Sequence, residues 1–179
     1  MLVFGLVGHI ASGKGTVVEY LKKNHNAIQY RFSKILDDIL SRLYLENSRD
    51  NQINLAVKLR ELHGNDVLSR VLASDIKKDN PKLAIVDGIR YKEELEAFRA
   101  LPDFKLVAVI ADEEIRYKRM LLRGEKAGET KTTRKDFTNM HKRPTEIYID
   151  ALMQTADVTI TNNGSSEELY KQIEGLVTL

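Results

Sequence analysis

The sequence lacks cysteine, long apolar runs and a signal-like amino-terminal segment. Its 179 residues contain no cysteine, so disulfide bonds and thiolate metal sites are excluded. No apolar run approaches the roughly 20 residues that a membrane helix needs, and no charged segment with a small-residue cleavage site opens the sequence. These absences favour a cytoplasmic protein without a membrane partner.

Several catalytic signatures are also absent. There is no evident Ser/His/Asp set, HExxH motif or pair of facing carboxylates, and the guanine-reading NKxD motif of GTPases is missing. Phosphoryl transfer needs none of these groups, because its catalysis is mainly positioning and charge neutralisation. The absences therefore leave that chemistry open.

The charge balance gives no global sign of nucleic-acid binding, since the formal net charge is only +2. One segment departs from this balance: ten Lys/Arg against five Asp/Glu lie in residues 113–143. An anionic ligand is one explanation for such a basic segment, and a solvated helix face is the other.

The apolar pattern predicts a parallel α/β fold. Near-continuous β-branched runs, typical of strands buried on both faces, alternate with helical patterns. The predicted strands are residues 2–7, 27–32, 83–86, 106–110 and 158–161. With 42% apolar residues and no linker, the chain is predicted to form one domain, 1–179, with helices on both sides of the sheet.

Two intervals are too long to be simple crossovers between strands. The pattern of residues 33–80 predicts about three helices, at 33–44, at 50–63 ending at Gly64, and at 66–78. The pattern of residues 113–156 predicts two helices interrupted by a Gly-, Lys- and Thr-rich break at 124–133. Inserts that follow the carboxyl ends of strands commonly hold substrate contacts and lids. The last helix is predicted to open with a capping box, Ser165 and Glu168.

The stretch GHIASGKGT lies between the first predicted strand and a helical pattern, the context of a phosphate-binding P-loop. Gly8, Gly13 and Gly15 allow successive N–H groups to converge on a phosphate, where the helix dipole is also positive. Lys14 is placed to reach the β- and γ-phosphates, and the Thr16 hydroxyl to ligate Mg²⁺. The alternative is a glycine-rich turn with an incidental lysine.

Two residues after the third predicted strand complete the predicted site. Asp87 ends that strand and can accept hydrogen bonds from waters on Mg²⁺, while Arg90 can form a fork to a phosphate. The alternative is a turn aspartate with Gly88 supplying the bend. His9 could reach the nucleotide or face solvent, and it is assigned no role.

An arginine stripe precedes the basic break. Arg116, Arg119 and Arg123 share one helical face, which is either a solvated surface or part of the site. The cations that follow it are Lys126, Lys131, Arg134 and Lys135. Because charge interactions strengthen when water is excluded, these cations serve chemistry only if the segment closes as a lid.

Together these stretches resemble the P-loop nucleoside monophosphate kinases. GHIASGKGT has the GKGT ending of adenylate kinases, VDGIR is similar to their DGxxR with one residue fewer, and IRYKRMLLRG resembles the helix that enters their lid. ADVTITNNGSSEELYKQI resembles the closing strand, loop and helix shared with dephospho-CoA kinases. VDGIR followed by IRYKRM is most similar to the archaeal adenylate-kinase-related, dephospho-CoA-kinase-like proteins.

The resemblance implies a five-stranded sheet of order 2-3-1-4-5, an acceptor-binding insert at 33–80 and a lid at 124–143. It implies that Arg119 packs beside adenine, that Arg123 contacts phosphates, and that Arg134 or Arg143 arrives on lid closure. It also implies that residues 162–164 shape the far side of the base pocket through backbone contacts and that Arg90 holds the acceptor phosphate. The predicted donor-binding residues are Gly8, Ser12, Gly13, Lys14, Gly15, Thr16, Val17, Arg119, Asn163 and Gly164. The predicted catalytic residues are Lys14, Asp87, Arg90, Arg123 and Arg134, and the predicted metal site is Thr16 with Asp87.

One departure from the family concerns the acceptor phosphate. SKILDDIL lacks the arginine with which adenylate kinases grip AMP, and Arg31, Arg49 or Arg60 could replace it or be surface charges. The predicted activity is ATP- and Mg-dependent transfer to a nucleoside or deoxynucleoside monophosphate by a monomer or weak dimer. The alternatives are phosphorylation of a hydroxyl, as in dephospho-CoA kinases, with Asp87 as base, and a nucleotide-dependent switch or ATPase.

Overall fold

The computed structural model describes residues 1–123, 132–140, 142 and 146–178, which contain a five-stranded sheet. The strands are β1 (Leu2–Val7), β2 (Ile28–Arg31), β3 (Leu83–Asp87), β4 (Phe104–Ile110) and β5 (Val158–Thr161). Neighbouring strands all pair in parallel, in the order β2-β3-β1-β4-β5. The predicted fold class and strand order are therefore confirmed.

Helices cover both faces of this sheet. Those of the described residues are α1 (Lys14–His25), α2 (Phe32–Arg42), α3 (Arg49–His63), α4 (Val67–Asp79), α5 (Lys92–Arg99), α6 (Glu113–Arg123), α7 (Arg134–Met140), α8 (Ile149–Gln154) and α9 (Ser166–Val177). Val3 and Val7 of β1 belong to the core formed with α4, α5 and α8, whereas Phe4 and Leu6 belong to the core formed with α1 and α9. The alternation of β1 side chains thus produces three layers.

The second strand is shorter than predicted, and the chain passes from it directly into a helix. β2 ends at Arg31, and Phe32 is the first residue of α2 instead of the last residue of a strand. The Phe32 ring meets the Phe98 ring edge-on, with 6.1 Å between centroids. Because such aromatic contacts add to the burial of apolar area, tertiary packing favours the helical position for Phe32.

The insert between β2 and β3 has its own small core, formed by Leu36, Ala56 and Leu68. It contains three helices in the described chain, as predicted, and α3 ends at Gly64. The capping box of α9 is also confirmed: the Ser165 side chain accepts from the Glu168 N–H, and the Glu168 side chain accepts from the Ser165 N–H.

Part of the predicted lid lies within the described residues. There, α7 packs on α6 through Phe137, whose ring lies 5.3 Å from that of Tyr117, centroid to centroid. The Tyr117 hydroxyl donates to the Thr132 carbonyl at 3.0 Å. Several predicted cations lie outside the described residues: Lys126, Lys131, Arg143 and the side chain of Arg123. Among the described residues, no helix has the length and apolarity needed to cross a membrane.

Candidate functional site

The P-loop connects the carboxyl end of β1 to the start of α1, in the middle of the sheet. Gly8 and Gly13 have φ values of 152° and 104°, and Ala11 is left-handed at φ 60°. A Cβ on Gly8 would lie 2.3 Å from the Val109 carbonyl oxygen, so the β4 backbone approaches the loop too closely for any side chain. The left-handed alanine was not predicted, because the P-loop pattern leaves that position unspecified.

The Lys14 side chain folds back over this loop. Its Nζ donates to the carbonyl oxygens of Gly8, at 2.6 Å, and His9, at 3.1 Å. The ammonium group is therefore held beside the loop by backbone acceptors. This arrangement places a cation next to the first turn of α1, where a phosphate would also meet backbone N–H groups.

Three features of the loop fit a bound phosphate. Gly13 is the N-cap of α1 and, having no side chain, supplies no acceptor to the N–H groups of the first turn. The Ser12 hydroxyl is buried and has no hydrogen-bond partner among the described residues. A Cβ on Gly15 would meet no atom within 4 Å, so Gly15 borders open space and, contrary to expectation, needs no special backbone conformation.

Val17, a predicted donor-binding residue, is engaged by the core and by the first turn of α1. Its side chain is completely buried in the core with α9, and its N–H donates to the Gly13 carbonyl at 3.2 Å. Helical periodicity accounts for the burial of this side chain, because the residue after Thr16 turns toward the sheet.

The predicted metal residues lie on adjacent elements. Thr16 is exposed on the first turn of α1, and Asp87 ends β3, where it pairs in register with Leu6 of β1. Neither side chain makes a hydrogen bond within the described chain. The described residues contain no group of three or more His, Asp or Glu side chains that could hold a metal ion by themselves.

Arg90 follows β3 and forms an ion pair that was not predicted. Its Nη1 lies 2.5 Å from Oε1 of Glu146, and its backbone N–H donates to Oε2 of Glu94 at 2.9 Å. The guanidinium side chain is 37% exposed, whereas Glu146 is 13% exposed. The pairing holds Arg90 at the carboxyl edge of the sheet.

Glu94 connects Arg90 to a second arginine. The Glu94 side chain is 1% exposed, and its Oε1 accepts from Nη2 of Arg60 at 2.9 Å. Burial raises the pKa of Glu94, although the hydrogen bonds from Arg90 and Arg60 oppose that shift. Of the arginines considered for the acceptor, Arg60 reaches this cluster, whereas Arg31 and Arg49 are exposed.

On the other side of the P-loop, Arg119 contacts the loop that follows β5. Its guanidinium donates to the carbonyl and the side-chain oxygen of Asn162, at 2.9 and 3.2 Å. The Asn162 amide donates in turn to the Ser12 carbonyl at 2.9 Å. Asn163 instead bonds Asp112 through both amide atoms. The side chain of Asn162 was not predicted to matter, because two adjacent asparagines look alike in sequence.

Comparisons with known proteins agree with this geometry. A family model described as an AAA domain matches residues 5–143. The chain belongs to this AAA-domain family. A related UPF0200 protein from Sulfurisphaera tokodaii is 24% identical over 177 residues, which cover 98% of this chain and 95% of the relative.

Solved structures similar to this AAA-domain protein include two shikimate kinases. The one from Bacteroides thetaiotaomicron has a TM-score of 0.64 at 11% identity and covers 99% of both chains. The one from Acinetobacter baumannii, in complex with shikimate, has a TM-score of 0.57 at 16% identity, covering 99% of this chain and 93% of that one. At these identities the likeness establishes the fold, that of P-loop kinases.

The remaining predicted cations of the AAA-domain protein have different surroundings. Arg116 is 4% exposed, so the solvated-surface alternative does not describe it, and burial lowers its pKa. Its guanidinium carbon lies 5.5 Å from the Phe137 ring centroid. Arg134 pairs with Glu113 and Glu114 of α6 in this conformation. The predicted role of Arg134 at the phosphates would require it to leave these carboxylates.

The P-loop also contacts α8 in this AAA-domain protein. Nε2 of His9 lies 2.7 Å from Oδ1 of Asp150, and the histidine side chain is 13% exposed. His9 is therefore not the solvent-facing residue that was one of its two alternatives. No local pattern indicates this pair, because the partners are 141 positions apart in sequence.

Proposed function

We propose that this protein transfers the γ-phosphoryl group of ATP to a nucleoside or deoxynucleoside monophosphate. The observation that carries the proposal is the position of Arg90, directly after the strand that pairs with the P-loop strand. A partly exposed guanidinium there suits an acceptor phosphate, while the P-loop suits the donor phosphates. Donor and acceptor would then meet at one edge of the sheet.

Several of the predicted residues have a role in this proposal. Lys14 and the loop N–H groups hold the triphosphate, Arg119 lies beside the base, and Arg90 holds the acceptor phosphate. Thr16 and Asp87 would hold Mg²⁺ and its waters, and the ion supplies neutralisation of phosphate charge when bound. Because a phosphate with a second pKa of about 6 is ionised at neutral pH, this acceptor needs no general base.

The proposal is tested by measuring ADP formation from Mg·ATP with a panel of ribo- and deoxynucleoside monophosphates, dephospho-CoA and shikimate. We expect one or more monophosphates to stimulate ADP formation. Lys14→Ala should lower the stimulated rate by about 10²-fold or more, because Lys14 would neutralise charge that develops during transfer. Lys23→Ala, an exposed lysine on the same helix, is the matched control and should leave the rate unchanged.

A hydroxyl acceptor is the second candidate, favoured by the likeness to the shikimate kinases. Shikimate carries hydroxyl groups and no phosphate. The hydroxyl that receives the phosphoryl group would need a base to take its proton, and Asp87 is the candidate. Stimulation by shikimate or dephospho-CoA alone, lost in Asp87→Asn, would replace the monophosphate proposal with this one. ATP binding with slow hydrolysis and no response to any acceptor would instead favour a nucleotide-dependent switch.

A further inference from the structure

The side chain of Asn162 joins three parts of the predicted donor site. It directly follows β5, is 6% exposed, and its backbone N–H donates to the Ile110 carbonyl at 2.8 Å. Its side-chain amide donates to the Ser12 carbonyl at 2.9 Å, and its side-chain oxygen accepts from Arg119 at 3.2 Å. Arg119 also donates to the backbone carbonyl of Asn162, at 2.9 Å. One buried residue thus connects β4, the P-loop and α6.

The bond to Ser12 fixes the direction of one P-loop peptide. In a planar trans peptide the C=O and N–H groups point in opposite directions, so holding the Ser12 carbonyl turns the Gly13 N–H away from Asn162. A Cβ on Gly13 would lie 2.0 Å from the Asn162 amide nitrogen. Glycine at this position is therefore what allows the amide to approach the loop.

The bonds from Arg119 fix the other end of the connection. An arginine side chain has many rotamers, and two donations to a single residue confine its guanidinium to a narrow range of positions. Any shift of Arg119 on binding a base would move the Asn162 side chain as well. That side chain would then move the Ser12 carbonyl.

We propose that Asn162 is a positioning residue that couples recognition of the donor base by Arg119 to the shape of the phosphate-binding loop. The inference rests on the proposed function, in so far as that function requires a nucleoside triphosphate donor. Asn162 acts through Ser12 and Arg119 and contacts no reacting group. Base and phosphates are thus recognised as one unit.

The test compares the binding of Mg·ATP and of magnesium tripolyphosphate, which has no base. Arg119→Ala should weaken tripolyphosphate binding by about threefold or more, because the loop loses a constraint that Asn162 transmits. Asn162→Asp retains an oxygen for Arg119 but replaces the donor to Ser12, and it should weaken both ligands by about tenfold. In the Asn162→Asp background, Arg119→Ala should no longer affect tripolyphosphate.

Asn24→Asp is the matched control, because the Asn24 amide also donates to a backbone carbonyl, that of Tyr20, at the far end of α1. It should leave both affinities unchanged. Asn162→Ala removes the side-chain bonds to Ser12 and Arg119 without adding charge and keeps only the backbone carbonyl that accepts from Arg119. It gives the same test if Asn162→Asp does not fold, as judged by melting temperature.

The coupling would be overturned if Arg119→Ala weakened tripolyphosphate binding equally in the wild-type and Asn162→Asp backgrounds. That result would leave the proposed function standing. Unaltered tripolyphosphate binding in Arg119→Ala alone would overturn the coupling too. A wild-type protein that binds neither ligand would overturn the proposed function itself, and the coupling with it.

Discussion

The two halves of the candidate site are built from different interactions. On the donor side, Arg119, Asn162 and Ser12 are linked by hydrogen bonds to amide and carbonyl groups. On the acceptor side, Arg90 and Arg60 are linked to the carboxylates of Glu146 and Glu94. The donor half is therefore held mainly by neutral acceptors, and the acceptor half by ion pairs.

This difference determines which existing interactions a phosphate must displace on each side. A phosphate entering the P-loop would meet the first turn of α1 and the Lys14 ammonium group, which donates to the backbone carbonyls of Gly8 and His9. A phosphate that approaches Arg90 competes with Glu146 for the same guanidinium. If the proposed function holds, the acceptor phosphate must displace the Glu146 carboxylate, whereas the donor phosphates bind beside backbone N–H groups and a lysine.

The largest effect should come from removing the acceptor-side cation. Arg90→Ala is expected to lower kcat/KM for the acceptor by about 10²-fold, the usual scale for one donor to developing charge. It should leave the Kd for Mg·ATP unchanged, because its contacts lie outside the P-loop. Arg99→Ala, at the far end of α5, is the control. An equal loss of ATP affinity in Arg90→Ala would contradict the division into two halves.

Glu94 gives the next largest effect, on stability. Glu94→Leu should lower the free energy of unfolding by about 3 kcal/mol, because it leaves Arg60 and the Arg90 N–H without their carboxylate. Glu94→Gln retains an acceptor oxygen and should cost much less. Urea unfolding of both variants measures the difference, and a similar loss in both would show that the charge, and not the hydrogen bonds, matters.

The same variants give a pH test of the acceptor half. Burial raises the pKa of Glu94 above its ordinary value of 4.5, so the folded protein holds this proton more tightly than the unfolded chain. Protonation of Glu94 therefore contributes its full stabilisation below pH 4.5, and this contribution is lost as pH rises through the pKa of Glu94 in the folded protein. Between these two pH values the free energy of unfolding of wild type should fall relative to that of Glu94→Gln. Parallel pH profiles of the two proteins would refute the raised pKa.

The smallest effect should come from Ser12, in the donor half. Ser12→Ala removes a buried hydroxyl without a partner among the described residues, and it should raise the free energy of unfolding by about 1 kcal/mol without ligand. The added stability on binding Mg·ATP should be smaller than in wild type, since Ser12 is a predicted donor-binding residue. Ser74→Ala, whose hydroxyl bonds the Arg70 carbonyl, is the control. Equal stabilisation by ATP in Ser12→Ala and wild type would remove Ser12 from the site.

Local signals were enough to predict much of the fold. Apolar runs gave β1 and β5 at their observed bounds, and Ser165 with Glu168 gave the start of α9. The end of β2 was misplaced because the contact of Phe32 with Phe98 is not visible in neighbouring residues. Boundaries that depend on distant packing are decided by tertiary structure, not by local propensity.

For the site, spacing predicted which positions lie near the P-loop but not the partners of their side chains. Arg116 and Arg119 share one predicted stripe, yet the first is buried against Phe137 and the second bonds Asn162. Glu146 lies 56 positions from Arg90 and follows no motif. Such pairs arise only where the fold brings separate segments together.

The bond between Ser12 and Asn162 also orders events during synthesis. The two residues are 150 positions apart, so the P-loop leaves the ribosome long before the residue that fixes its peptide. Because chains emerge amino terminus first, a nascent chain carries the whole phosphate-binding motif without this constraint until β5 has joined the sheet. We therefore expect ATP binding to require the finished fold, and to protect complete molecules better than truncated ones from proteolysis.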